Sequence, residues 1–291
     1  MPLHCTAAAM RRILIVALVL APQFFSGSHI AMAQYGKNQS PIAINHNQVP
    51  FDPNPPKLED LGNLRTALSF PVKNYIGAPW CQSGGCTGTI DQRWGSLKAD
   101  VPPSSAPKIR FNGNSYTLAE FHFHSPAEHV VDGRLAEMEV HFVFSKDGAS
   151  GCTPDRLLVI GRRIVKGTPT PAIQAQWDKL FGPTIVLPAK FSDPALNVQN
   201  FVIYFLLEGI ERTYRYQGSL TAPSDLRCSN PPGDPLQQLA SGYLPQVVSW
   251  VLIADPILMK PSEILRLHKL FPNGDARGPQ ELIDQDVKRT F

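Results

Sequence analysis

Phe121–His129 reads FHFHSPAEH. In a β-strand successive side chains point to opposite faces. Phe121 and Phe123 then take one face, and His122 and His124 take the other together with Glu120. The stretch Glu137–Phe144, EMEVHFVF, repeats the pattern. There Glu137, Glu139 and His141 share a face, and Met138, Val140 and Phe142 take the opposite one. The connection Ser125–Leu135, with Asp132-Gly133 near its end, has a length that suits antiparallel neighbours. Paired in this way, the two strands bring His141 opposite His122 and His124, and three imidazoles converge on one point.

Histidines alternating with phenylalanines in a half-buried strand are costly unless something pairs the buried nitrogens. Three neutral imidazole nitrogens suit Zn²⁺ and leave a fourth position open, as in a catalytic rather than a structural site. Glu120 and Glu139 lie on the same faces. Each is placed to accept the far N–H of a ligand histidine, which fixes its tautomer and raises its basicity. A lone H-x-H is weak evidence for a metal; H-x-H followed by E-x-H on a second alternating strand is much stronger.

The rest of the chain supports a sheet. With 28 Pro and 21 Gly in 291 residues, long helices are disfavoured and short strands between turns are favoured. Strands are predicted at Lys108–Phe111, Tyr116–His124, Ala136–Phe144, Arg156–Arg163, Gln199–Glu208 and Val247–Ala254. Helices are predicted at Pro171–Phe181 and Pro261–Leu270, the second with Ile264, Leu265 and Leu267 on an apolar face. The expected fold is mainly β (α+β): a single domain around a large, mostly antiparallel twisted sheet with a few short peripheral helices.

Residues 11–33, RRILIVALVLAPQFFSGSHIAMA, place two arginines before an apolar run that ends in Ala31-Met32-Ala33. This reads as a signal peptide over 1–33, with the functional domain at 34–291 and an exported location, periplasmic or secreted. Removing Arg11 and Arg12 leaves 25 basic against 24 acidic residues, a net charge of +1. That balance gives no footprint for nucleic acid, and no membrane association is expected after cleavage. Cys81, Cys86, Cys152 and Cys228 remain. An even count in an exported chain suggests disulfides, with three pairings open. No C-x-x-C occurs, so a cysteine–zinc site is poorly supported.

Taken together, these stretches resemble the α-class carbonic anhydrases. Gln39–Ile42 is similar to the family's QSPI, Phe121–His129 to its FHFHW…SEH, Glu137–His141 to its AELH, and Tyr216–Thr221 to its YPGSLT. Ser249–Val251 is similar to its tryptophan strand, and Ala276–Leu282 to its closing ARPxQPL. The order is the family's, and the matches span nearly all of 34–291. The resemblance implies reversible zinc-dependent hydration of carbon dioxide to bicarbonate and a proton. It implies His122, His124 and His141 as the zinc ligands, with zinc-bound hydroxide as the nucleophile. Thr221 would accept that hydroxide's hydrogen bond and pass its own proton to Glu128. Glu139 would orient His141, and Glu120 stands where the family has Gln. His129 would be structural. Val143, Val159, Leu220, Val248 and Trp250 would form the apolar pocket for carbon dioxide.

The chain also departs from the family. Ser96, in Trp94–Leu97, stands at the proton-shuttle position usually held by histidine, and serine cannot carry a proton near neutral pH. Ser125 and Ala222 replace bulkier residues and widen the mouth. Tyr35 is the one aromatic between the cleavage site and Gln39. Asp275 stands where the family often has Asn, placed to accept a hydrogen bond from His124. The insertions at 51–88 and 225–243 have no assigned role, and neither do His46 and His268. Cys228 fits one end of a family disulfide, with Cys81 or Cys86 at the other or a local Cys81–Cys86 loop. Two other readings stand beside this one: a non-catalytic carbonic-anhydrase-like binding or adhesion protein, and a cupin-type metalloenzyme built on His122-x-His124-x3-Glu128. The cupin's later histidine has no counterpart here. The sequence does not decide whether the chain is a homodimer.

Overall fold

The computed structural model describes residues 38–76, 95–223, 244–281 and 286–291. The expected signal peptide, Tyr35, Cys81, Cys86, Trp94, Cys228, the insertion 225–243 and the end of the insertion 51–88 lie outside the described residues.

In chain order the first strands are β1 Ala43–Ile44, β2 Leu58–Glu59, β3 Leu68–Asn74, β4 Leu97–Asp100, β5 Lys108–Phe111, β6 Asn114–His124, β7 Val130–Val131 and β8 Arg134–Leu135. They are followed by β9 Met138–Lys146, β10 Leu157–Lys166, helix α1 Pro171–Phe181, β11 Leu196–Phe201, β12 Thr213–Gly218, β13 Val248–Met259, helix α2 Pro261–Leu270 and β14 Lys288–Arg289. One large sheet runs in the order β11-β3-β4-β6-β9-β10-β13-β12-β14, with β5 also paired to β6 and β2 to β5. Within it only β10 and β13 are parallel. A small second sheet joins β1, β7 and β8. The expected large, mostly antiparallel sheet with few helices is what forms, and no helix among the described residues is long and apolar enough to cross a membrane.

The two faces of the sheet carry different cores. On one face Phe121, Phe123, Phe142, Phe144, Leu158 and Ile160 are buried with Trp177, Leu180 and Phe181 of α1. Phe121 centres an aromatic cluster, with ring centroids 5.0 Å from Phe70 and 5.3 Å from Phe142. On the other face Val159, Tyr214, Tyr216, Trp250 and Leu252 form a smaller core. Thr170 caps α1 by accepting from Ile173 N, and Pro171 fills the first turn, where its missing N–H costs nothing.

The predicted boundaries that differ most are those of two strands. The strand expected over Gln199–Glu208 ends at Phe201, and Ile203–Leu207 forms a 3₁₀ turn instead. Ile203, Phe205, Leu206 and Leu207 are all buried, which the alternation of a strand does not allow, and Asn200 adopts φ +53° as the strand closes. In contrast, β13 runs past the predicted Ala254 to Met259 despite Pro256, because the β10–β13 register skips residues there. A bulge of this kind accommodates a proline that a regular ladder rejects.

Truncating the centre of the aromatic cluster, Phe121→Ala, is expected to destabilise the fold by about 3–5 kcal/mol. Denaturant unfolding checks this, and a loss under about 1 kcal/mol would contradict the assignment of this face as core.

Candidate active site

The β6–β9 pairing builds the site. His122 lies directly opposite His141, and His124 opposite Glu139. The register slips between Leu118 and Glu120, a β-bulge. Because of it Tyr116 and Leu118 point into the same core as Phe121 and Phe123, while Glu120, His122 and His124 turn the other way. Under strict alternation Leu118 would share the histidine face.

The three rings stand close together, with centroids 4.9 Å apart for His122–His124, 5.2 Å for His122–His141 and 4.8 Å for His124–His141. One nitrogen from each lies within 4.8 Å of the others. The outer nitrogens are engaged. His122 Nδ1 lies 2.9 Å from Glu120 Oε2, and His141 Nε2 lies 2.9 Å from Glu139 Oε1. His124 Nδ1 faces the Asp275 carbonyl at 3.4 Å. A ring nitrogen that donates to an oxygen leaves the other as a lone-pair donor. The hydrogen bonds therefore turn Nε2 of His122, Nε2 of His124 and Nδ1 of His141 toward the common centre. His124 Nε2 is buried without a hydrogen-bond partner. Three such nitrogens match the donor set that Zn²⁺ prefers, so the residues fit the metal.

Glu139 is completely buried and serves the neighbouring loop as well as His141. Its Oε2 accepts from Glu128 N at 3.0 Å and His129 N at 2.8 Å, and its Oε1 lies 2.6 Å from His129 Nδ1. His129 Nε2 in turn lies 2.7 Å from the Tyr216 hydroxyl. His129, Glu139 and His141 also cluster at ligand spacing, but both nitrogens of His129 are spent in this relay. The expected structural role of His129 agrees with that geometry.

Glu128 accepts from Arg277 N at 2.8 Å and from the Thr221 hydroxyl. Its other oxygen has no hydrogen-bond partner and lies 3.6 Å from His124 Nε2 and 3.8 Å from His141 Nδ1. Burial raises its proton affinity, against the opposing effects of His141, Thr221 and Arg277. Burial lowers the pKa of His124 to about 3 and that of His141 to about 4. For His122, burial also acts to lower the pKa, but the Glu120 charge and hydrogen bond outweigh it and the net shift is upward.

The triad opens into a cavity of about 530 Å³. Val143, Val159, Leu220 and Trp250 line it, and Thr221, Ala222, Ser96, Glu120 and Asp275 lie on its wall. Val248 does not line it. It shares Trp250's side of β13 but is fully buried in the core behind the wall, and its parallel-paired neighbour Leu157 reaches the cavity instead. Asp275 also differs in detail from the expectation. Its backbone carbonyl faces His124, while its carboxylate accepts from Ser125 N at 2.7 Å. Tyr75 and Lys98 on the wall, and Tyr216 and Arg277 behind the site, were not singled out in the sequence. For Lys98 a signal existed: alternation along Leu97–Asp100 puts Lys98 and Asp100 on one face. His46 bonds to the Tyr214 hydroxyl through Nδ1 at 3.0 Å and takes no part in the site.

Three imidazoles gathered at one point on the wall of a cavity have the arrangement of a mononuclear metal site. The family model for eukaryotic-type carbonic anhydrases matches residues 27–229. The chain belongs to that family, the α-class carbonic anhydrases, which are lyases. It is 29% identical over 271 residues to a carbonic anhydrase of Nostoc sp., covering 92% of this chain and 79% of the relative. It is 26% identical over 268 residues to one of Pectobacterium carotovorum, covering 90% and 82%. The α-carbonic anhydrase of Thermovibrio ammonificans, solved with sulfanilamide, shares the fold with a TM-score of 0.61 at 21% identity over 90% of this chain and 91% of that one. That of Photobacterium profundum gives 0.61 at 19% identity, over 90% and 94%.

In zinc-free protein, imidazole NMR titration should find His124 neutral down to about pH 3 and His141 to about pH 4, with His122 protonating above its ordinary 6.5. The unfolded chain protonates all three near 6.5. Below that pH, His124 and His141 bind more protons when unfolded, so these two withdraw stability as the pH falls; His122 acts in the opposite sense. A His124 that titrates at its ordinary value would contradict the assigned burial.

Proposed function

We propose that this chain catalyses the reversible hydration of carbon dioxide to bicarbonate and a proton, with Zn²⁺ held by His122, His124 and His141. The observation that carries this reading is the set of three imidazoles whose outer nitrogens are hydrogen-bonded and whose inner nitrogens face one point. When bound, Zn²⁺ supplies Lewis acidity that makes hydroxide available near pH 7.

The residues around it do the remaining work. The Thr221 hydroxyl donates to Glu128, whose Oε1 also accepts from Arg277 N. Its own proton committed, Thr221 can only accept from the attacking oxygen, which turns that oxygen's lone pair toward the substrate. Val143, Leu157, Val159, Leu220 and Trp250 offer a small neutral molecule an apolar wall beside the reaction centre. Carbon dioxide gains from leaving water there, and bicarbonate, being charged, does not. Ser96, which the resemblance puts at the shuttle position, lines the cavity. Proton removal then falls to the buffer. The same reading keeps residues 1–33 as an export leader and the remaining cysteines as disulfide partners; sequencing the mature N-terminus, expected near Gln34, checks the first of these.

Stopped-flow hydration on three proteins tests the proposal. His122→Ala should lose both zinc and activity. Thr221→Ala should keep zinc and lose about 10- to 100-fold in rate. Added imidazole should speed the wild type. Full activity in the His122 variant would overturn the reading, and a wild-type rate indifferent to imidazole would overturn the buffer step.

A further inference from the structure

We propose that Lys98 is a positioning residue for the metal site, holding the Glu120 carboxylate against His122 by offsetting the repulsion between Glu120 and Asp100. This rests on the zinc reading of the triad. In the β4–β6 register Lys98 lies directly opposite His122, and Asp100 directly opposite Glu120. Residues so paired share a face, and like charges in that arrangement repel. The two acidic residues therefore stand on the same face beside a residue proposed to hold the metal. Lys98 is the only lysine or arginine among the described residues that line the cavity.

Its ammonium is held in place from two sides. It lies 3.0 Å from Asp100 Oδ1 and 4.3 Å from the centroid of the Tyr75 ring. The Tyr75 hydroxyl donates to Asp100 Oδ2 at 2.8 Å, which fixes the far side of the same carboxylate. Lys73 pairs with Lys98 across β3, but its ammonium lies over Phe191, 5.6 Å from the ring centroid, and does not line the cavity. Although burial opposes charging Lys98, Glu120 and then Asp100 more than compensate and raise its proton affinity. Set directly across from His122 and diagonal to Glu120 in the register, the same charge attracts the Glu120 carboxylate.

Glu120 accepts from His122 Nδ1 through both oxygens, at 2.9 and 3.1 Å. That contact sets the tautomer that presents Nε2 to the metal. Without Lys98, Glu120 faces Asp100 with no counter-charge on the wall and is free to swing toward solvent. His122 then loses the group that fixes its ring, and zinc leaves faster.

The test is the rate of zinc release to a chromophoric chelator from the full chain, with thermal unfolding run in parallel to confirm folding. Lys98→Met should release zinc about 10-fold faster than wild type, the lower end of the usual effect of losing a ligand's outer support. Lys98→Gln repeats the comparison with a polar side chain, and Lys98→Arg should restore slow release. In a Glu120→Gln background, Lys98→Met should change nothing further, because the repelling charge is gone. Acceleration of the same size in that background would overturn the proposal, since it would mark a general loss of packing. A wild type that takes up no zinc overturns the proposed function itself; a wild type that holds zinc while Lys98→Met releases it equally slowly overturns only the role of Lys98.

Discussion

The site hangs on one buried carboxylate. Glu139 receives two backbone N–H groups from the loop after β6, one imidazole from that loop and one from β9 itself. A carboxylate with no solvent exposure is tolerable only with partners of this kind. Burial works to raise its proton affinity, but His129 and His141 outweigh it and hold the pKa well below the ordinary value. The consequence is geometric. The loop carrying Glu128 is tied to the strand carrying His141, so the partner of Thr221 and the third imidazole of the triad share one anchor. Removing one partner of a buried pair like this costs about 3–5 kcal/mol in stability.

The division of the sheet into two faces then supplies the rigidity. Phe121 and Phe123 enter the larger core and cannot move without opening a cavity, so the histidines between and beside them are fixed by packing they do not themselves make. Gly161, opposite His141, contributes by what it lacks. A Cβ there would stand 3.1 Å from Leu252 Cδ1 and 3.2 Å from Glu139 Oε1, so the glycine leaves room for the Glu139–His141 pair. The cavity lining combines polar groups such as Ser96, Glu120 and Thr221 with apolar ones such as Val143, Val159 and Leu220.

Much of this was legible in the sequence because period-two alternation is a local signal. FHFH and EMEVH assign faces without reference to the rest of the chain, and the histidine pairing follows from them. What escaped has physical reasons. The bulge after Leu118 does not disturb the alternation near the histidines, so it left no trace in that stretch. The run Ile203–Leu207 is apolar at nearly every position, and such a run does not distinguish a strand from a turn of helix. Val248 carries the alternation of a wall residue, but which neighbour covers it depends on strands that are distant in sequence. Tyr216 and Arg277 lie in stretches that match the family, but they act on His129 and Glu128 across 87 and 149 positions, so their partners are not announced locally.

The central claim is that three imidazoles and one metal ion constitute the reaction centre. Zinc removed by a chelator and returned in measured amounts tests it most directly, with carbon dioxide hydration followed at each addition. The account predicts activity that vanishes with the metal and returns linearly, saturating at one zinc per chain. Hydration that persists without metal, or a chain that fills with one zinc and stays inactive, would contradict it.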